Sequence, residues 1–280
     1  MRIKARIVFN PGKGNEYLAE KAYEIIEKKY PGITFTGGYV IELFKDDPKF
    51  DRLKRYLEEQ NLKPSISYDE IFSEKEMLSA PIMQMVPNSH RGEYPQPENK
   101  YIDVSYDENS GCPYCTYGKI QNRPLRLSGA VKMGKKDDIS GIWWMREFIV
   151  TKRFKELAEE AGLTGCEFWP VIKHGKNEPF EDIFQLKITG IMPKMAKETE
   201  IVQSQEYGNK CGHMRTYVDG HIYYNASDLE NVSDFALTQE WFGMLGEIWR
   251  WPFMSQKAYR FFKENKISGM RFYPPEILDK

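Results

Sequence analysis

Cysteine and histidine are scarce in this 280-residue chain, four of each, and the scarcity limits the chemistry it can host. Two of the cysteines stand at CxxC spacing in GCPYCTYGK, residues 111–119. That pattern fits a metal or redox motif in a reducing compartment better than a secreted disulfide framework. No 18 uncharged apolar residues run together, which excludes a conventional membrane-spanning helix. The opening MRIKARIVFNPGKG alternates charge with Ile and Val and offers no apolar leader, so a soluble, cytoplasmic protein is expected. An excess of charge is missing as well. Forty Lys and Arg against 41 Asp and Glu give a formal net charge of -1, so nucleic acid or anionic lipid could be held only by a local patch.

Catalytic signatures are missing too. HExxH, GxSxG and phosphate-loop patterns do not occur, and NPGKG at Asn10 lacks the spacing and the following Ser or Thr of a phosphate loop. The histidines, His90, His174, His213 and His221, mark no nucleophile with its base. The acidic pairs beginning at Asp46 and Asp137 adjoin lysines and turn residues, where a solvated surface is expected over general acid–base work. A non-enzymatic protein is therefore expected.

What is present is enough chain for one large or two modest domains with a real core. IKARIVFN and GGYVIELF read as strands. Each precedes a one-sided helix, the second with Asp47 as N-cap and Pro48 at the first helical position. Residues 86–111 are rich in Pro, Gly, Asn and Ser, with strand character only in YIDVSY, and divide an N-terminal α/β region, 1–100, from a CxxC-containing region, 101–280. The second region repeats itself without a gap at an offset of 104 residues: IVTKRFKELAEEAGLTGCEFWP (149–170) and FMSQKAYRFFKENKISGMRFYP (253–274). Thr151 and Ser255 are N-cap types, Leu157 and Phe261 fall on the helical apolar face, Gly165 and Gly269 allow tight turns, and short strands end at Pro170 and Pro274. Two copies are too few for a solenoid, so two equivalent strands, each backed by its helix, are expected within one sheet of an α+β fold.

A CxxC turn sets two thiolates on one side of a knuckle, half of a tetrahedral zinc site, and the obvious second half is Cys211 and His213 in GNKCGH. His221 in DGHIYYN is the reserve ligand, and Cys166, inside an apolar strand, reads as a small buried hydrophobe. Redox use of CPYC would need a helix beginning at Cys112, and TYGKIQNRPLRLSG, with Gly118, Pro124 and Gly129, does not read as one. Unliganded cysteines remain the plain alternative. A basic run beside the knuckle, Lys119, Arg123, Arg126, Lys132, Lys135 and Lys136, contains no acidic residue and supports a second reading, a zinc-knuckle nucleic-acid-binding protein using segment 119–136. Five of the six tryptophans lie in GIWWMREF and EWFGMLGEIWRWPF, as core or, where exposed, as a protein-binding patch.

CPYC after YIDVSYDENSG, MREFIVTKRFKELAEEAGLTGCEFWPV, IFQLKITG and NKCGH together resemble a bacterial family of double-CxxCG proteins, over roughly residues 100–280. The family is known from myxobacterial paralogues, and some members are classed as immunity proteins against a cognate toxin. The resemblance implies a protein toxin as partner, neutralised by direct binding. Here Thr116 follows the first pair where the family has glycine, and Gly208 replaces the leading cysteine of the second. A four-cysteine site is thereby excluded. Cys112, Cys115 and Cys211 with His213 or His221 would hold structural zinc, or would be the relic of a site that has lost it.

Overall fold

A computed structural model describes the chain except for residues 30–31, 35–36, 89–94, 99, 130–132, 134–136, 143–144, 206–210, 245–246 and 280, and the side chains of 145–146, 244 and 247. His90, Trp143, Trp144, Lys132, Lys135 and Lys136 lie outside the described residues. The fold is α+β, with mixed sheets backed by helices. No helix among the described residues is long and apolar enough to cross a membrane.

Two compact units divide at Met77 and Leu78, earlier than a boundary at residue 100. In Met1–Met77 the strands Arg2–Phe9, Tyr39–Phe44 and Ser65–Ile71 alternate with helices Glu16–Ile25 and Pro48–Glu59. All strand pairs are antiparallel, with Arg2–Phe9 between the other two, a split βαβ arrangement. Ala5, Ile7 and Phe9 alternate onto the face that meets Ala19, Ala22, Phe50, Leu53 and Leu57 of the helices. Asp47 caps the second helix by accepting the Lys49 N–H at 2.9 Å.

The Leu78–Lys280 unit contains the duplication, but as two sheets instead of one. In the first, the spatial order is Cys166–Lys173, Glu178–Ile188, Met145–Thr151, Ile139–Ile142. In the second it is Met270–Tyr273, Ile82–Pro87, Pro252–Ser255, Phe235–Leu237. Registers correspond, since Val150 faces Phe184 and Ile139 just as Met254 faces Met83 and Phe235. Ile82–Pro87 thus takes in the second copy the place that Glu178–Ile188 takes in the first, although it precedes both repeats in sequence. Gly190–Ile191 pairs in parallel with Phe235–Leu237 and so links the two sheets.

The copies complete one another's polar ends. Thr151 and Ser255 cap helices Lys152–Glu160 and Gln256–Glu264 by accepting the N–H of Phe154 and Ala258. Their hydroxyls donate to Asp138 Oδ1 at 3.2 Å and Asp234 Oδ1 at 2.6 Å. Arg153 then bonds both Asp138 and the Asn265 carbonyl of the other copy, and Lys257 bonds both Asp234 and the Gly162 carbonyl. Gly165 and Gly269 have φ of +74° and +118°. A Cβ there would meet Phe235 O at 2.1 Å or Ile139 O at 1.8 Å, again across the copies, so glycine is needed for the close approach. Between the helices, Phe154 meets Phe261 and Phe262 edge-on at 5.8 and 5.6 Å.

Three expectations are corrected. YIDVSY forms the helix Tyr101–Ser105, because six residues cannot establish a period of two and the buried Ser105 carbonyl accepts from Asn122 and Arg123 beyond it. Pro170 lies inside its strand, which runs to Lys173 with a register shift between Pro179 and Phe184 that accommodates the missing N–H. The pair at Asp137 is not simply solvated surface: Asp138 is buried by tertiary packing and forms an ion pair with Arg153.

Asp234 makes this arrangement testable. Burial raises its carboxyl, but the Ser255 hydroxyl, the Thr164 N–H and Lys257 outweigh burial and hold it below the ordinary value. A depressed carboxyl stabilises the fold above its unfolded value and loses that contribution as pH falls through the folded value. Chemical denaturation should therefore show Asp234→Asn less stable than the parent by about 2 kcal/mol at pH 7, with the difference shrinking below about pH 4. A difference that does not change with pH would show that the charge is not what Asp234 contributes.

Candidate metal centre

The knuckle is a closed loop. Cys112 N–H donates to Tyr117 O at 2.7 Å, and Gly111, at φ +57°, lies backbone to backbone against Gly118, where a Cβ would meet Gly118 C at 2.3 Å. Thr116 itself has φ +65°, the left-handed conformation that glycine takes without cost and a β-branched residue does not. Its hydroxyl compensates by accepting Ile248 N–H at 3.2 Å and by sharing its proton between Cys115 O at 2.6 Å and Ile248 O at 2.8 Å. Ile248 belongs to the strand Glu247–Trp249, whose hairpin with Phe242–Met244 is joined through Thr216 and Gly243 to Arg215–Asp219. The same small sheet therefore holds the knuckle and carries the segment containing Cys211 and His213.

These elements bring together Cys112, Cys115, Cys211 and His213, whose ligand atoms all lie within 4.8 Å of one another. Cys115 is buried and the other three are half-buried. Cys115 Sγ is 3.1 Å from His213 Nδ1. Zinc bound tetrahedrally at about 2.3 Å to sulfur and about 2.0 Å to nitrogen would separate its ligands by about 3.5–3.8 Å, so small adjustments would close the donor set around an ion. The imidazole is oriented by Tyr117, stacked on it at 4.4 Å, with Trp241 at 5.1 Å behind Tyr117. His221 is not in the cluster and lies edge-on to Tyr223, and Cys166 is also elsewhere, with burial pushing its thiol up to about 12.

The thiols differ. Burial raises Cys112, but the N–H groups of Tyr114 and Cys115 and the neighbouring thiols bring it down to about 7, whereas burial pushes Cys115 up to about 12, reinforced by Cys211 and Cys112. Turn amides therefore lower Cys112 without the helix that a redox site would require, since turns and the isolated Tyr106–Gln121 bridge follow Cys115. In the basic run, Lys119 bonds the carbonyls of Asp107 and Glu108, Arg123 that of Val104, and Arg126 the Asn177 side chain. The described cations of this run thus serve partly to tether loops.

Sequence reasoning missed the supporting residues. In the sequence Trp241 is only one member of a tryptophan cluster, and Thr116 carries no local sign of the left-handed turn that its hydroxyl compensates. No protein-family model matches the chain, and no curated protein matches it.

Replacing Thr116 separates strain from bonding. Thr116→Ala keeps the unfavourable φ and loses the hydroxyl's bonds, so it should lose about 2 kcal/mol, while Thr116→Gly should recover about 1 kcal/mol of that loss. Denaturation in one buffer checks the order Thr, Gly, Ala; a glycine variant no better than alanine would remove the strain argument.

Proposed function

We propose that the chain is a non-enzymatic binding protein whose Leu78–Lys280 unit is braced by a structural zinc ion on Cys112, Cys115, Cys211 and His213. The convergence of these four ligand atoms carries the reading. Three thiolates and an imidazole suit zinc, and four protein ligands fill a tetrahedron, leaving no position for a substrate or reactive water. The brace would join segments nearly 100 residues apart. Metal analysis should find about one zinc per chain, lost in Cys112→Ser and Cys211→Ser with several kcal/mol of stability and retained in Cys166→Ser. Zinc-free parent protein that is equally stable would refute the brace.

The partner reading is an immunity-type protein that neutralises a bacterial toxin by binding it, supported by the resemblance of the CPYC, repeat and NKCGH segments. Exposed Tyr114, Tyr117, Met214 and Tyr217 flank the four ligands, and aromatic and Met side chains are the types that interface centres favour. Co-expression with the products of adjacent genes provides the test. Rescue of growth that Tyr114→Ala with Tyr217→Ala weakens is expected; no toxic neighbour, or none that binds, would end this reading.

A further inference from the structure

A cavity of about 390 Å³ opens beside the knuckle, within the Leu78–Lys280 unit, between the first repeat's sheet and the hairpin that holds Thr116. Its size is within the range of small-molecule sites. Much of its wall is apolar, with Tyr106, Ile120, Trp241 and Ile248 among the lining. Ile120 and Ile191, which also lines it, are 63% and 50% exposed, so the cavity has an open, aliphatic mouth.

The charged groups in the wall favour one sign. Among the described residues, Lys119, Lys187 and Arg250 line the cavity against a single carboxylate, Glu147. Both oxygens of Glu147 are already engaged by neutral donors, Tyr106 O–H at 2.8 Å and Gln185 Nε2 at 2.6 Å. Lys119 is turned to the Asp107 and Glu108 carbonyls, which leaves Lys187 and Arg250 as the available cations. Lys187 Nζ has one neutral partner, Gln121 Oε1 at 3.1 Å, and lies 5.4 Å from the Trp169 ring. Arg250 spends Nε and Nη2 on the Thr238 and Leu237 carbonyls, and neither cation has an ion pair among the described residues. Burial lowers the Arg250 guanidinium below its ordinary value, and the charge of Glu240 offsets this in part.

We infer that this cavity is a binding site for a small apolar or aromatic monocarboxylate, its body against Trp241, Ile248 and Ile120 and its carboxylate on Lys187 and Arg250. The assignment does not depend on zinc being bound at the knuckle. Each contribution has a physical basis: aromatic walls take up a flat apolar body, and a charge-assisted hydrogen bond in a partly desolvated site is stronger than a neutral one.

Calorimetric titration of the full chain with 2-naphthoate, and with 2-naphthamide as its uncharged counterpart, tests the assignment, with metal content measured on the same samples. Saturable one-to-one binding of the acid is expected, about tenfold or more tighter than the amide. Lys187→Met should weaken the acid by a similar factor and leave the amide unchanged. Because Arg250 also ties two carbonyls, Arg250→Met is read only where its unfolding transition matches that of the parent, and Lys187→Met carries the decision otherwise. Equal binding of acid and amide, no saturation by millimolar acid, or indifference to Lys187→Met would overturn the assignment, and would do so at full metal content without touching the zinc reading.

Discussion

The Leu78–Lys280 unit depends on one constraint, that neither copy of the duplicated helix and strand can satisfy its own polar ends. Helix Lys152–Glu160 leaves the Gly162 carbonyl for Lys257, and helix Gln256–Glu264 leaves the Asn265 carbonyl for Arg153. Asp138 and Asp234 each join a cap hydroxyl to a basic residue two positions further on, and the backbone follows the same rule, Phe235 donating to Thr164 O and Ile139 to Ser268 O. Water can take the exposed helix-end carbonyls, but Phe154, Asp138 and Asp234 are buried, so a single copy would uncover the Phe154 ring and lose the backbone bonds from Phe235 and Ile139. Two copies arranged reciprocally are the smallest closed set. This also accounts for two sheets where the sequence suggested one, since reciprocal exchange relates the copies as partners and not as neighbours in a single row.

The repeat's local devices were legible in the sequence because each is a local preference: a Ser or Thr cap, a one-sided helix, a glycine where the chain turns back. Even the apolar face was only partly so. Leu157 is half-buried while Phe154 and Ala158 are buried, and the equivalent pair in the second copy is Ala258 and Phe262, with large and small residues exchanged. What stayed hidden is the strand between Met270–Tyr273 and Pro252–Ser255, Ile82–Pro87, because it lies before both repeats and outside their alignment. Asp138 and Asp234 stayed hidden for a related reason, as they precede the repeat segments. Their burial is decided by a partner more than a dozen residues away.

The four clustered residues were legible from residue type alone, since only one other segment offers a thiol and an imidazole together. Choosing between His213 and His221 needed the fold. His213 lies two residues from Cys211, on the approach to Arg215–Asp219, whereas His221 lies beyond the far end of that strand. Five strand residues at about 3.3 Å each separate the two histidines by far more than a ligand shell spans. The positioning of the ring by Tyr117 and Trp241 could not be read, because aromatic stacking across more than 100 positions leaves no periodic trace.

Knuckle and cavity share their supports, and this has a thermodynamic consequence. Thr116 lines the cavity and is bonded to Ile248, which lines it as well, while Trp241 forms cavity wall on one side and backs the Tyr117 ring that stacks on His213. Anything that fixes Trp241 fixes part of the imidazole's orientation, and anything that draws His213 into a tetrahedral set restrains Tyr117 and through it Trp241. Binding free energies linked through one element are reciprocal, so a ligand that favours the observed Trp241 position must favour metal retention by the same factor with which metal favours that ligand. The hairpin Phe242–Met244 with Glu247–Trp249, which falls between Phe235–Leu237 and Pro252–Ser255 in the second copy, is the piece that makes this coupling possible. It ties the Cys211–His213 segment to the knuckle on one side and closes the cavity on the other. The asymmetry between the copies is thus where both candidate sites are built.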